Sequence, residues 1–237
     1  MEVKNKKILG EVSANKLRET LEGQTLGSTR RHGKHLFVQL DNDDWLMLHF
    51  GMTGWLKYFK DPKDEPSHTR LLITFENGYC LAFDCQRMLG KVDLIEDPEG
   101  FIEDKKLGPD PLELDFPSFR KLLGGRRGAI KSALMNQRIM AGVGNIYSDE
   151  ILFQARVHPG TGVDRLDEEV LKKLFEETRR VLRTAIENQA DPEKLPGSFL
   201  LPHRREGEKC PRGNGRIERI KATGRTAYFC PACQPQG

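Results

Sequence analysis

Apolar positions along the chain follow two rhythms, and the change between them falls near residue 107. Before it, short apolar runs recur: Leu36-Phe-Val-Gln-Leu40, Trp45-Leu-Met-Leu-His-Phe50, Leu71-Leu-Ile-Thr-Phe75 and Tyr79-Cys-Leu-Ala-Phe83. Asp41-Asn-Asp-Asp44 and Glu76-Asn-Gly78 separate them with turn-forming residues, so the runs predict strands. Asn77-Gly78 suits a tight hairpin. Ser13 to Leu21 predicts a short helix with Ser13 as its N-cap. Residues 1–107 therefore predict a β-sandwich or barrel. Leu107-Gly-Pro-Asp-Pro111 breaks the pattern and predicts a linker. Beyond it the apolar spacing turns helical. Helices are predicted over Pro117–Leu123, Ala129–Asn136, Asn145–Gln154 and Asp167–Gln189; the last is amphipathic through Val170, Leu171, Leu174, Val181, Leu182 and Ala185. A Pro/Gly/Arg-rich stretch then leads to a hairpin bracketed by cysteines. The expected fold class is α+β and multidomain, with domains at 1–107, 115–200 and 203–237.

Composition sharpens this outline. With 37% hydrophobic and 31% charged residues in 237, the chain can build a real but modest core. No run of 18 apolar residues occurs, so no membrane span is expected. No apolar signal segment follows the basic start, so a cytoplasmic setting is the default. The net charge of +3 is a weak pointer to a polyanion, but its distribution says more. Residues 203–237 hold eight Lys or Arg against three Glu, the local excess that phosphate binding needs. A solvated basic tail would look the same by charge alone. Cys80 and Cys85 lie in a strand-like stretch, whereas Cys210, Cys230 and Cys233 cluster at the end. Clustered cysteines in a cytosolic chain suggest metal before disulfide.

Five segments carry candidate chemistry. In Ala141-Gly-Val-Gly-Asn-Ile-Tyr147, two glycines precede a helix start, with Asn145 expected at the N-cap. Such a turn lets a backbone approach a phosphate, and the helix N-terminus favours the anion; a plain helix–helix turn reads the same way. Ile130-Lys-Ser-Ala-Leu-Met-Asn-Gln137 and Ser148 to Pro159 flank it. The others are His49-Phe-Gly-Met-Thr-Gly54, Arg30-Arg-His-Gly-Lys-His-Leu-Phe37, Leu81 to Gly90, and Cys210-Pro-Arg-Gly213 followed by Cys230-Pro-Ala-Cys233.

Lys131 to Pro159 resembles the helix–two-turn–helix of the formamidopyrimidine-DNA glycosylase / endonuclease VIII family. The match runs through Lys131, Leu134, Gly142-Val-Gly-Asn-Ile-Tyr147, Glu150 and His158-Pro159. The resemblance extends from about Ile8 to Gln234. It implies an N-terminal β-sandwich lacking its first helix, a helix–two-turn–helix domain and a zinc-finger-like β-hairpin, with damaged double-stranded DNA in the cleft between the domains. By the same resemblance, Lys131 and Asn145 contact phosphates near the lesion, as does His49. Lys34 engages the phosphate beside the lesion and is a possible accessory to catalysis. Met52 fills the void left by a flipped base, a device that offsets lost stacking. Arg87 faces the widowed base, and Leu89 stands where phenylalanine is usual. Cys85 and Met88 replace the family's aspartate and second arginine. Arg225 is the DNA-contacting arginine of the hairpin tip, and Arg205-Glu-Gly207 is the entry to that hairpin.

The family's zinc hairpin has four cysteines. Here Cys210, Cys230 and Cys233 keep their spacing, and Gly213 stands at the fourth position. Zinc is therefore expected to be weakened, or the hairpin to hold without it. The family's catalytic start is Pro-Glu, in which the proline amine attacks the sugar and the glutamate handles protons. No residue here matches the proline. Glu2 sits in Glu-Val-Lys-Asn-Lys rather than in the family's context, and Met1-Glu2-Val3 reads as the strand after the catalytic helix. The implied function is base excision of oxidised bases with abasic-site lyase activity, by a monomer. The chain as written is expected to bind lesion DNA and to cut it poorly or not at all. Two alternatives are a damage-binding protein without chemistry and an RNA- or ribosome-bound helix–two-turn–helix protein; the β half and Arg225 weigh against the latter.

Overall fold

Turn chemistry organises the first part of the chain. The strands and helices, in order, are β1 (Glu2–Val3), α1 (Ala14–Leu21), β2 (Leu26–His32), β3 (His35–Leu40), β4 (Trp45–His49), β5 (Gly54–Phe59), β6 (Thr69–Thr74), β7 (Cys80–Cys85), β8 (Lys91–Ile95) and α2 (Pro98–Asp104). Each of the four apolar runs becomes a strand. They pair into two antiparallel sheets, ordered β2-β3-β4-β8 and β1-β6-β7-β5. The register sets Leu36 opposite Leu48, Phe37 opposite Met47 and Val38 opposite Leu46. Because side chains alternate faces, Val38, Leu40, Leu46 and Leu48 share one interior with Leu71 and Phe83 of the other sheet and Leu17 of α1. Ser13 caps α1, accepting from the Lys16 N–H at 3.1 Å.

Phe37 and Met47 emerge on the opposite face, yet both are buried. Helix α2 covers that face, with Phe101 edge-on to Phe37 at 5.7 Å. Asp97 starts α2 by accepting from the Glu99 and Gly100 N–H groups, and Pro98 supplies the preset first-turn φ. Sheathing one phenylalanine this way contributes about 1.5–3 kcal/mol.

The structure, a computed structural model, describes residues 1–213, 215–222 and 224–236. They divide into two units, 1–105 and 106–237. The second holds α3 (Phe116–Leu123), α4 (Ile130–Met135), α5 (Asn145–Ala155), α6 (Glu168–Glu187), β9 (Glu218–Ala222) and β10 (Arg225–Phe229). Leu107-Gly-Pro-Asp-Pro111, expected as a linker, is instead packed into this unit. The Gly108 N–H donates to the Gln137 carbonyl at 2.8 Å, and Ala141 donates to the Pro109 carbonyl at 3.0 Å. A Cβ at Gly108 would stand 2.5 Å from the Ile139 backbone.

Helix α5 is the axis of the second unit. From Ser148 to Ala155 every residue is buried, so its polar groups must find partners inside the protein. Glu150 accepts from Gln154 at 2.6 Å and from the Leu200 and Leu201 N–H groups at 3.1 and 2.8 Å. Burial pushes its carboxyl above the usual range. Leu174, Val181 and Ala185 of α6 are buried, as their helical spacing predicts. The β9–β10 hairpin is seated on the far end of α5. Arg212 donates to the Phe153 and Gln154 carbonyls, both at 3.3 Å, placing a cation at the helix C-terminus. Gln234 donates to the Val157 carbonyl at 2.8 Å and accepts from the Cys230 N–H at 3.0 Å.

Candidate nucleic-acid interface

In the first unit, two loops meet because glycines let them. Met52 is 66% exposed and Leu89 49% exposed, two of the six exposed large apolar side chains among the described residues. Gly51 has φ +62°, and a Cβ there would stand 2.5 Å from the Leu89 carbonyl carbon. A Cβ at Gly90 would meet Phe83 at 2.7 Å and the His49 carbonyl oxygen at 3.0 Å. The two backbones are thus in van der Waals contact. The Arg87 N–H donates to Thr53 Oγ1 at 3.2 Å, and Met88 adopts φ +51°. Exposed Met52 and Leu89 thus stand on two touching loops, with exposed Arg87 on the Leu89 loop. Cys85, at the position of the family's aspartate, is buried and accepts from the Gly90 N–H through sulfur at 3.4 Å.

Lys34 and His49 also come together. Gly33, at φ +55°, and Lys34 form the turn between β2 and β3. His35 pairs with His49 across the sheet, their rings 5.0 Å apart. His49 Nδ1 accepts from the Gly51 N–H at 3.2 Å, which leaves the ring proton on Nε2, facing away from that bond. Burial, then the Lys34 charge, holds His49 below its usual pKa, so the ring is a neutral donor. His35 was not singled out in the sequence, yet it is the more perturbed. Burial first and the His49 ring second lower it from 6.5 to about 4, and its Nδ1 is buried with no hydrogen-bond partner among the described residues.

This has a consequence for stability. Between pH 6.5 and about 4 the unfolded chain takes up a proton at His35 that the folded chain refuses. Stability is therefore full above pH 6.5 and falls as pH drops through that window. His35→Phe should lose less stability than the parent between pH 7 and pH 5 in urea titrations; an equal loss would count against this origin of the slope.

In the second unit, Gly144 rather than Asn145 holds the N-cap position of α5, in extended conformation. Asn145 opens the first helical turn with its side chain unused for capping, and its Oδ1 is buried without a hydrogen-bond partner among the described residues. The N–H groups and dipole at this helix N-terminus favour an anion. Exposed Arg225 opens β10. Its charge adds, after burial and Arg204, to the lowering of the Lys131 pKa.

Lys131 corrects the sequence reading. Its side chain is fully buried, and its Nζ pairs with Asp149 while donating to Ser148 Oγ at 3.0 Å and the Asn145 carbonyl at 3.2 Å. Burial lowers its pKa despite the carboxylate. An ammonium enclosed this way does not reach a phosphate; it holds the start of α5, and with it Asn145. Asp149 is the centre of the arrangement. Its Oδ2 accepts from Arg204 Nε and Nη2 at 3.0 and 2.8 Å and from the Tyr228 N–H at 3.2 Å. One carboxylate thus joins α4, α5, the 191–204 segment and β10. A lone aspartate in a helical pattern reads as a surface residue, so no sequence signal marked it.

The sulfurs of Cys210, Cys230 and Cys233 lie within 4.8 Å of one another, and those of Cys210 and Cys233 are 3.6 Å apart. They can hold a metal ion. Burial and the neighbouring thiols push the Cys233 thiol up to about 12. A Cβ at Gly215 would stand 2.6 Å from Cys230 Sγ, so the closeness of the two cysteine turns requires glycine there. Among the described residues, no His, Asp or Glu joins the cluster. The donor set stops one short of a structural zinc tetrad.

A two-sheet sandwich followed by a helix–two-turn–helix unit with a C-terminal hairpin defines a class of DNA glycosylase. The chain belongs to the formamidopyrimidine-DNA glycosylase family: that family's N-terminal domain matches residues 1–92 and its H2TH domain residues 107–195. It is 35% identical over 243 residues to the formamidopyrimidine-DNA glycosylase of Solibacter usitatus, covering 98% of this chain and 90% of that protein. The Heliobacterium modesticaldum enzyme of the same name is 35% identical, with 91% and 84% covered. Among solved structures, the Lactococcus lactis FPG (MutM) complex with a FAPY-dG containing DNA superposes with a TM-score of 0.89 at 28% identity, covering 99% of this chain and 91% of that one. The complex of the same bacterium's protein with abasic-site DNA gives 0.83 at 29% identity, with 94% and 86% covered. Among the described residues, no helix is long and apolar enough to cross a membrane.

Proposed function

We propose that this chain acts in base excision repair, gripping duplex DNA at an oxidised or abasic nucleotide for base removal and strand cleavage. The observation that carries the reading is the Met52–Leu89 pair, two exposed apolar side chains fixed beside Arg87 by the Gly51 and Gly90 contacts. Exposing them costs solvation, and a duplex opened by base extrusion offers the apolar gap that would cover them. Lys34 and the neutral His49 donate to the phosphates beside that gap. Asn145 and Arg225 hold the backbone from the second unit, and Lys131 positions Asn145 rather than touching DNA. The family likeness to proteins solved on FAPY-dG and abasic-site DNA supports the same ligand here. Zinc, the metal the family resemblance implies, would be held by Cys210, Cys230 and Cys233. When bound it would brace the hairpin that carries Arg225.

The test is a gel shift on matched duplexes, one with a single abasic analogue, run at several salt concentrations. Tighter retention of the abasic duplex is expected, with both affinities falling as salt rises. Equal affinity for the two duplexes would sink the reading. Borohydride treatment on a true abasic site adds the chemical arm. A trapped adduct would place the nucleophilic amine within residues 1–237, and peptide mapping would name it.

A further inference from the structure

We infer that Cys210, Cys230 and Cys233 form a three-thiolate site that prefers trivalent arsenic, which three sulfurs satisfy, to four-coordinate zinc. Three soft donors converge within 4.8 Å, and no further His, Cys, Asp or Glu joins them among the described residues. Zinc in a structural site wants four protein ligands. With three it must take its fourth from solvent, which is exchangeable. An ion satisfied by three sulfurs gives up nothing at Gly213. Soft thiolates also select thiophilic ions over harder ones.

Protein hydrogen bonds hold the frame that presents the sulfurs. Arg212 anchors the first cysteine turn to the end of α5, Gln234 anchors the second through Val157, and Asp149 holds the Tyr228 N–H of β10. The Cys210 N–H donates to the Gly215 carbonyl at 2.9 Å, and the Cys233 N–H to the Cys230 carbonyl at 3.1 Å. These contacts fix both cysteine turns to the rest of the unit. Cys210 and Cys230 are buried, while Cys233 is partly exposed and offers the way in. Arsenite reacts with balance: three As–O bonds break, three As–S bonds form, and each departing hydroxide leaves with one thiol proton as water. The oxidation state of arsenic does not change.

The position vacant of a ligand is also open space. Nothing lies within 4 Å of a Cβ built at Gly213, and its φ is ordinary. Gly213→Cys is thus accommodated and restores a Cys-x2-Cys pair with Cys210. The experiment loads the full chain with one equivalent of zinc, titrates with arsenite and follows native mass spectrometry. Iodoacetamide mapping of the same samples locates the protected thiols. The expected result is zinc loss at near-stoichiometric arsenite, one arsenic bound with three protons lost, and joint protection of Cys210, Cys230 and Cys233 while Cys80 stays reactive. Gly213→Cys should reverse the order and keep its zinc. Retention of zinc by the parent, or an adduct that loses only two protons, would overturn the inference. So would the same order of preference in both proteins. If the variant fails to fold, the parent titration decides alone.

Discussion

Asp149→Ala should lower the stability of the 106–237 unit by about 3–5 kcal/mol, the cost of stripping one partner from a buried ion pair. The carboxylate and the Lys131 side chain are both fully enclosed. Removing the carboxylate strands the Lys131 ammonium without its counter-charge, leaves both Arg204 donors without their shared Oδ2 acceptor, and leaves the Tyr228 N–H unpaired. Arg204 is partly exposed and turns to water at small cost; Lys131 has no such exit. A shift of the urea midpoint with an unchanged slope would report the loss. A second substitution separates charge from packing. In Asp149→Ala/Lys131→Met the uncompensated charge is gone, so the double variant should be more stable than the single one. A single variant within about 1 kcal/mol of the parent would show that the pair is not held as buried as described. Because Tyr228 belongs to the strand that begins at Arg225, the same substitution should weaken DNA binding through the hairpin. That weakening should appear on damaged and undamaged duplexes alike, as loss of a backbone contact does.

Gly51→Ala should act on the opposite discrimination. The added methyl is set at φ +62° and meets the Leu89 backbone at 2.5 Å, so the Leu89 loop must move away from Met52. Backbone strain of this kind costs about 1–3 kcal/mol, and the displaced pair no longer fills one gap. Affinity for an abasic duplex should fall by about tenfold or more, a loss of at least ~1.4 kcal/mol. Affinity for undamaged duplex, which rests on phosphate contacts, should change little. Gly78→Ala is the matched control. Its φ of +77° brings comparable strain, but its Cβ meets only the end of Lys60 at 4.0 Å. If both variants, or neither, lose abasic selectivity, the two-loop wedge is not what reads the lesion.

The legible parts of this protein are those whose information is local. A run such as Leu36 to Leu40 can only be buried, and its turn residues can only be turns, so four strands stood out. The strands that escaped are the ones whose pattern is set by neighbours. Leu26–His32 is largely polar and becomes a strand because β3 offers it a ladder. Gly54–Phe59 is an edge strand with Trp55 and Tyr58 exposed. Helix α2, seven residues with a glycine inside, exists to cover Phe37. The Leu107–Pro111 segment has linker composition, yet Gly108 is a glycine because the Ile139 backbone lies against it.

By itself the sequence determined the family, the order of β half, helices and hairpin, and the spacing of three cysteines around a missing fourth. Those are properties of residue type and interval, which a chain carries before it folds. Only the tertiary structure decided which charged residues face water. Lys131 and Arg225 look alike as letters, but burying an ammonium is tolerable only where a carboxylate meets it, and Asp149 meets Lys131 alone of the two. Likewise the contact between the Met52 and Leu89 loops depends on two glycines more than thirty residues apart, and a distance of that kind is set by packing.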